Sequence, residues 1–188
     1  MKIDRKLNLV VPIETDSGKI FIHSSAIAKD CFERYFKVIS KAYTDIFKEG
    51  VAFTAGAGPK IAALMLKSVA DEMGIKDDVE KGLMLEIMRL SSVALPTDKG
   101  WETMPLSVAL KQNPIDEDDW TDAEGQIVFF TLCSSMSAKA DLMNLLQKVS
   151  GFWGSEITSS NCTEYAASLP KLTPDEPITL RTDASLPS

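Results

Sequence analysis

Leu7-Asn8-Leu9-Val10-Val11-Pro12-Ile13 and Lys19-Ile20-Phe21-Ile22-His23 stand on either side of Glu14-Thr15-Asp16-Ser17-Gly18. Two β-prone runs joined by a glycine-containing loop predict a β-hairpin. Two strands rarely hold together in water by themselves, so the hairpin needs a surface to lie on. The segments that follow supply one, because their apolar residues recur at helical spacing.

Ala28, Phe32, Tyr35, Phe36, Ile39, Ala42, Tyr43, Ile46 and Phe47 repeat every three or four residues, which predicts a long amphipathic helix that Ser24 or Ser25 caps and Gly50 ends. Most of that stripe belongs to a core, and a remaining exposed strip is available to a partner. Val51 to Gly58 forms a connector, Pro59 opens a second helix and Gly74 closes it. Asp77 or Asp78 caps a third, with Val79, Leu83, Ile87, Leu90 and Ser91 on its stripe and Pro96 barring continuation. Thr97 to Thr103 reads as a loop containing Trp101, and Pro105 begins a short helix through Lys111. The acidic stretch Asp116-Glu117-Asp118-Asp119, with Asp122 and Glu124, opens a helix through Cys133, since the N-terminal end of a helix favours negative charge. A further helical stripe covers Ala138 to Val149.

From Gly151 the pattern changes. Pro170, Pro174, Pro177 and Pro187 fall among many Ser and Thr, and helical periodicity stops at Ala167. The expected class is mainly α. A hairpin over 1–24 packs on a compact bundle of about five to six helices within 1–150. Residues 151–188 form an extended or flexible tail outside the packed domain.

Composition narrows the function. The 188 residues are 45% hydrophobic and 25% charged, ordinary for a globular protein that folds without disulfides or metal. Net charge is -7, divided as +4 over 1–70 and -11 over 71–188. This balance gives no general attraction to nucleic acid, and it makes an acidic face available to a basic partner. The apolar run Leu9 to Ile13 is too short for a signal peptide and no run is long enough to span a bilayer, so the expected compartment is the cytosol.

Chemical motifs are weak. Ala55-Gly56-Ala57-Gly58-Pro59-Lys60 lacks the spacing of a P-loop or a dinucleotide fingerprint, and Pro59 removes an N–H that a phosphate would use, so it reads as a hinge between helices. Cys31, Cys133 and Cys162 are odd in number and far apart, with His23 as the one histidine, which gives no metal-ligand pattern. His23 is expected at the surface near a strand end. No G-x-S-x-G elbow accompanies it, and the acidic stretch lacks calcium-loop spacing. The expectation is therefore no catalytic residues, no cofactor and no metal.

Met1-Lys2-Ile3-Asp4-Arg5-Lys6-Leu7-Asn8-Leu9-Val10-Val11-Pro12-Ile13, followed by Ile22-His23-Ser24, resembles the start of the tail assembly chaperones of long-tailed bacteriophages. Phe32-Glu33-Arg34-Tyr35-Phe36, Gly58-Pro59-Lys60-Ile61-Ala62-Ala63-Leu64-Met65-Leu66 and Asn161-Cys162-Thr163-Glu164-Tyr165 extend the resemblance along most of the chain. It implies a helical, acidic, non-enzymatic assembly factor. Such a factor coats the tape-measure protein in the host cell cytoplasm, helps recruit tail-tube subunits and is absent from the finished virion. Self-association stays open. The alternative is a structural virion protein, such as a tail completion or connector subunit. Within the chaperone reading, Phe152, Trp153, Tyr165 and Leu169 are the expected partner anchors, being large apolar residues in a polar tail. Packing of Phe152 and Trp153 onto the last helix is the competing expectation.

Overall fold

The computed structural model describes residues 7–15, 18–48, 57–112, 117–138, 141–142, 144–145 and 154–171. The expected hairpin forms as β1, Asn8–Thr15, and β2, Gly18–Ser25, with Leu9 opposite Ser24 and Ile13 opposite Ile20. It lies inside a larger sheet. β3, Ser91–Thr97, β4, Gly100–Pro105, and β5, Glu156–Thr158, complete a five-stranded antiparallel sheet in the order β4-β3-β2-β1-β5. The protein is therefore a mixed α/β fold with N-terminal strands, and not a helix bundle with a hairpin laid on it.

The helices among the described residues are α1, Lys29–Phe47; α2, Ala57–Glu72; α3, a run over 76–89; α4, Leu106–Gln112; α5, Glu117–Met136; and α6, Cys162–Ser168. Of the helix expected over 138–149, residues 141–142 and 144–145 are described and helical, with Leu142 buried. Ser24 and Ser25 belong to β2 and do not cap α1, whose N-cap is Ala28 without a side-chain bond. Gly74 closes α2 as expected, with the Ile75 N–H reaching back to the Ala70 carbonyl at 2.9 Å.

Two corrections concern β3 and β4. The stripe assigned to a helix through Ser91 stops at Arg89, and the stretch read as a loop around Trp101 is the strand β4. Both hairpins use one device: Thr15-Asp16-Ser17-Gly18 and Thr97-Asp98-Lys99-Gly100. In each, the threonine hydroxyl donates to the glycine carbonyl, at 2.6 and 2.7 Å. The glycines hold φ of 116° and 115°, a region that a Cβ disfavours. The two strand prolines cost no ladder bond. By alternation from each turn, the Pro12 nitrogen faces away from β2 and the Pro96 nitrogen away from β4, and both lie past the ends of the β1–β5 and β2–β3 pairing.

One sheet face carries Leu9, Val11, Ile13, Ile20, Ile22, Val93 and Leu95 into a core shared with α1, α2, α3, α4 and α5. Close helix approach there depends on missing side chains. A Cβ on Gly125 of α5 would collide with the Pro59 carbonyl oxygen in the first turn of α2. A Cβ on Gly82, inside the π-helical Val79–Met84 part of α3, would collide with the Tyr35 hydroxyl. The Ala-Gly-Pro opening of α2 is thus a packing surface for α5. Between the same helices, Lys67 reaches Glu124 at 2.8 Å and Lys60 reaches Asp122 at 3.9 Å, so two acids of the cluster face cations.

The opposite face presents Val10, Phe21, His23 and Ala94, and here too Val10, His23 and Ala94 are buried. Residues 154–171 cover this face: β5 pairs with the outer edge of β1, and α6 packs across β3 and β4. These residues therefore belong to the packed domain and not to a tail outside it. Their apolar residues are too sparse to show a period, yet Ile157 pairs with β1 and Tyr165 and Ala166 are buried in α6, which packs on β3 and β4. The part of that expected tail from 172 onward lies outside the described residues.

Gly125→Ala is expected to lower stability by about 1–3 kcal/mol, as overpacking of a closed helix contact does. Urea unfolding reads this directly, and an unchanged midpoint contradicts the close α2–α5 approach.

Candidate binding surface

Among the described residues no three His, Cys, Asp or Glu side chains are grouped to hold a metal ion, and no helix is long and apolar enough to cross a membrane. The buried polar groups are spent on structure. Ser91 donates to the Ile87 carbonyl at 2.9 Å; having one proton, it accepts from Ser24, 2.9 Å away, in a fully enclosed pair. Gln126 of α5 bonds the Ser155 hydroxyl, tying the start of the C-terminal segment to the helical layer.

His23 is buried at 4% exposure, which corrects its expected surface position. Its Nε2 lies 2.9 Å from the Ser160 carbonyl. A carbonyl only accepts, so Nε2 carries the proton. The same carbonyl accepts from Asn8 Nδ2 at 3.0 Å, and Asn8 Oδ1 accepts from the Ser25 hydroxyl at 2.8 Å. Ser160 is thereby held by both hairpin strands.

The expected anchors separate at this point. Phe152 and Trp153 lie outside the described residues. Tyr165, in α6, is buried, its ring edge-on to Phe21 at 5.7 Å, and Phe21 also meets Trp101 at 5.5 Å. Burial, and after it the Glu156 carboxylate, pushes the Tyr165 phenol up from its ordinary value. Tyr165 therefore anchors the chain's own C-terminal segment and presents no free ring to a partner. Leu169 is half-buried beside α6, one residue before Pro170, whose carbonyl accepts from the Trp101 indole at 2.9 Å.

Among the described residues the one exposed aromatic side chain, Phe36, is on α1. Phe32, Phe36, Tyr43 and Phe47 stand at spacings that bring them to one flank of the helix, a seam about 23 Å long at 1.5 Å per residue. Their rings pair along it, Phe32 with Phe36 at 5.7 Å and Tyr43 with Phe47 at 4.5 Å, and Phe47 meets Phe129 of α5 at 5.9 Å. Phe36 is 49% exposed, while Phe32, Tyr43 and Phe47 are half-buried. The helix turns Tyr35, Val38, Ile39, Ala42 and Ile46 into the core, so the seam is the margin of a stripe wider than its burial site. The signal was present in the sequence as the excess breadth of that stripe, although no single residue in it marks a binding site.

No protein-family model, curated protein or solved structure matches this chain.

The contrast between Tyr165 and Phe36 is measurable. Tyr165→Ala is expected to cost about 3 kcal/mol, as truncation of a buried aromatic does. Phe36→Ala is expected to cost under about 1 kcal/mol. Urea denaturation of the two variants checks this, and equal losses contradict the placement of Tyr165 inside the fold and Phe36 at its surface.

Proposed function

We propose that this chain is a tail assembly chaperone of a long-tailed bacteriophage, which holds the tape-measure protein soluble and helps recruit tail-tube subunits in the host cell cytoplasm. The observation that carries the reading is the aromatic seam on α1. A tape-measure chain is long, helical and apolar on one face, and an amphipathic helix is recognised by laying that face along an apolar groove or strip. A 23 Å seam accommodates about four turns of such a helix. The rings also bring large contact area at small conformational cost.

The charge of the molecule supports the same reading. At -7 overall, copies of the chain repel one another, and an acidic surface accelerates capture of a basic segment. The tape measure is proposed as the partner on the resemblance of the quoted stretches alone, and the family so resembled works without catalysis.

Co-expression with the tape-measure gene of the same phage is the test. The wild-type chain is expected to keep the tape measure in the soluble fraction and to co-purify with it. Phe36→Asp is expected to weaken that association at least about tenfold while folding normally, because a carboxylate replaces a ring that the partner would cover. A soluble complex formed equally well by Phe36→Asp removes the seam from the account, and a tape measure that precipitates beside well-folded wild type removes the function.

A further inference from the structure

β4 ends the sheet, and no strand lies beyond it among the described residues. Its hairpin fixes which backbone groups are spare. Thr97 and Gly100 close the two-residue turn, so the pairs Thr97 with Gly100, Leu95 with Glu102 and Val93 with Met104 exchange the ladder bonds. The N–H and C=O groups of Trp101 and Thr103 therefore point away from β3, along an edge that can accept another strand.

A half-open groove of about 460 Å³ runs beside that edge. Trp101 and Thr103 wall it on the β4 side, Ala166 and Leu169 on the α6 side, and Lys99 and Lys171 stand at its rim. Asp98 is the one acid among its described lining residues. Both lysines are exposed and neither makes an ion pair among the described residues. In a chain with 27 acidic and 20 basic side chains, two unpaired cations flanking one groove form a local reversal of sign.

We infer that the outer edge of β4 takes up an extended acidic segment of a partner protein as a sixth strand. The segment's main chain pairs with Trp101 and Thr103, alternate side chains enter the groove, and its carboxylates meet Lys99 and Lys171. A second copy of this chain is a poorer occupant. Two-fold pairing centred on residue 102 sets Glu102 directly opposite its own copy, and like charges so placed destabilise a strand pair. This surface lies on the sheet, apart from the α1 seam, and the inference stands without the chaperone reading.

The test is fluorescence anisotropy of the full chain with a labelled peptide of alternating Val and Thr that ends in Asp-Glu at both termini, against the same peptide ending in Lys-Lys. The acidic peptide is expected to bind at least about tenfold tighter. Thr103→Pro removes an N–H that faces away from β3, so it is expected to keep the wild-type melting temperature and to lose about tenfold in affinity. Lys99→Glu with Lys171→Glu, which touches no ladder bond, is expected to reverse the preference between peptides. Absence of binding, equal binding of the two peptides, or an unreversed preference in the double variant overturns the inference. A dimer in sedimentation that Thr103→Pro dissolves also overturns it, by giving the edge to a second copy.

Discussion

The structure depends on burial of one hairpin from both sides. β1 and β2 send Leu9, Val11, Ile13, Ile20 and Ile22 into the helical layer, while Val10 and His23 are closed off on the other face by residues 154–171. A valine taken fully from water contributes roughly 1.5–3 kcal/mol, so a sheet with one bare apolar face forfeits several such contributions and invites association. The C-terminal segment prevents this with few residues. Three strand positions pair with β1, the Ser160 carbonyl receives bonds from Asn8 and His23, and Tyr165 rests against Phe21. The hairpin and residues 154–171 are thereby joined across more than 130 positions.

That arrangement explains what could be read from the residues and what could not. The first hairpin, α1, α2, the start of α3, α4 and α5 were legible, because each has a period or punctuation of its own. β3 was not. Ser91-Ser92-Val93-Ala94-Leu95-Pro96-Thr97 is covered on both faces, so hydrophobic alternation is absent, and Pro96 looked like a breaker although its nitrogen lies past the β2 ladder. A signal exists in the repeated Thr-Asp-x-Gly turn, whose first copy predicts a hairpin loop. β5 and α6 were hidden for a different reason. Short elements that bind to a preformed surface require little apolar content of their own, and Asn161 and Glu164 form a reciprocal capping box that starts α6 without any stripe.

The candidate anchors followed the same logic in reverse. Tyr165 stands out as a large ring in polar sequence, and it serves the fold because a sheet face receives it. The exposed ring among the described residues is Phe36, on the first long helix, whose aromatic residues exceed what the core encloses. A rigid helix, held to the core through Tyr35, Val38, Ile39, Ala42 and Ile46, presents that seam in fixed geometry. Under the proposed function, binding there would impose little ordering cost on the chain itself.

Site-specific photo-cross-linking tests the proposed mode of action most directly. A benzophenone side chain introduced in place of Phe36, in cells assembling tails, should yield a covalent adduct dominated by the tape-measure protein before particles mature. Cross-links confined to structural subunits of finished particles, or none at all from a folded and abundant chain, would contradict the account.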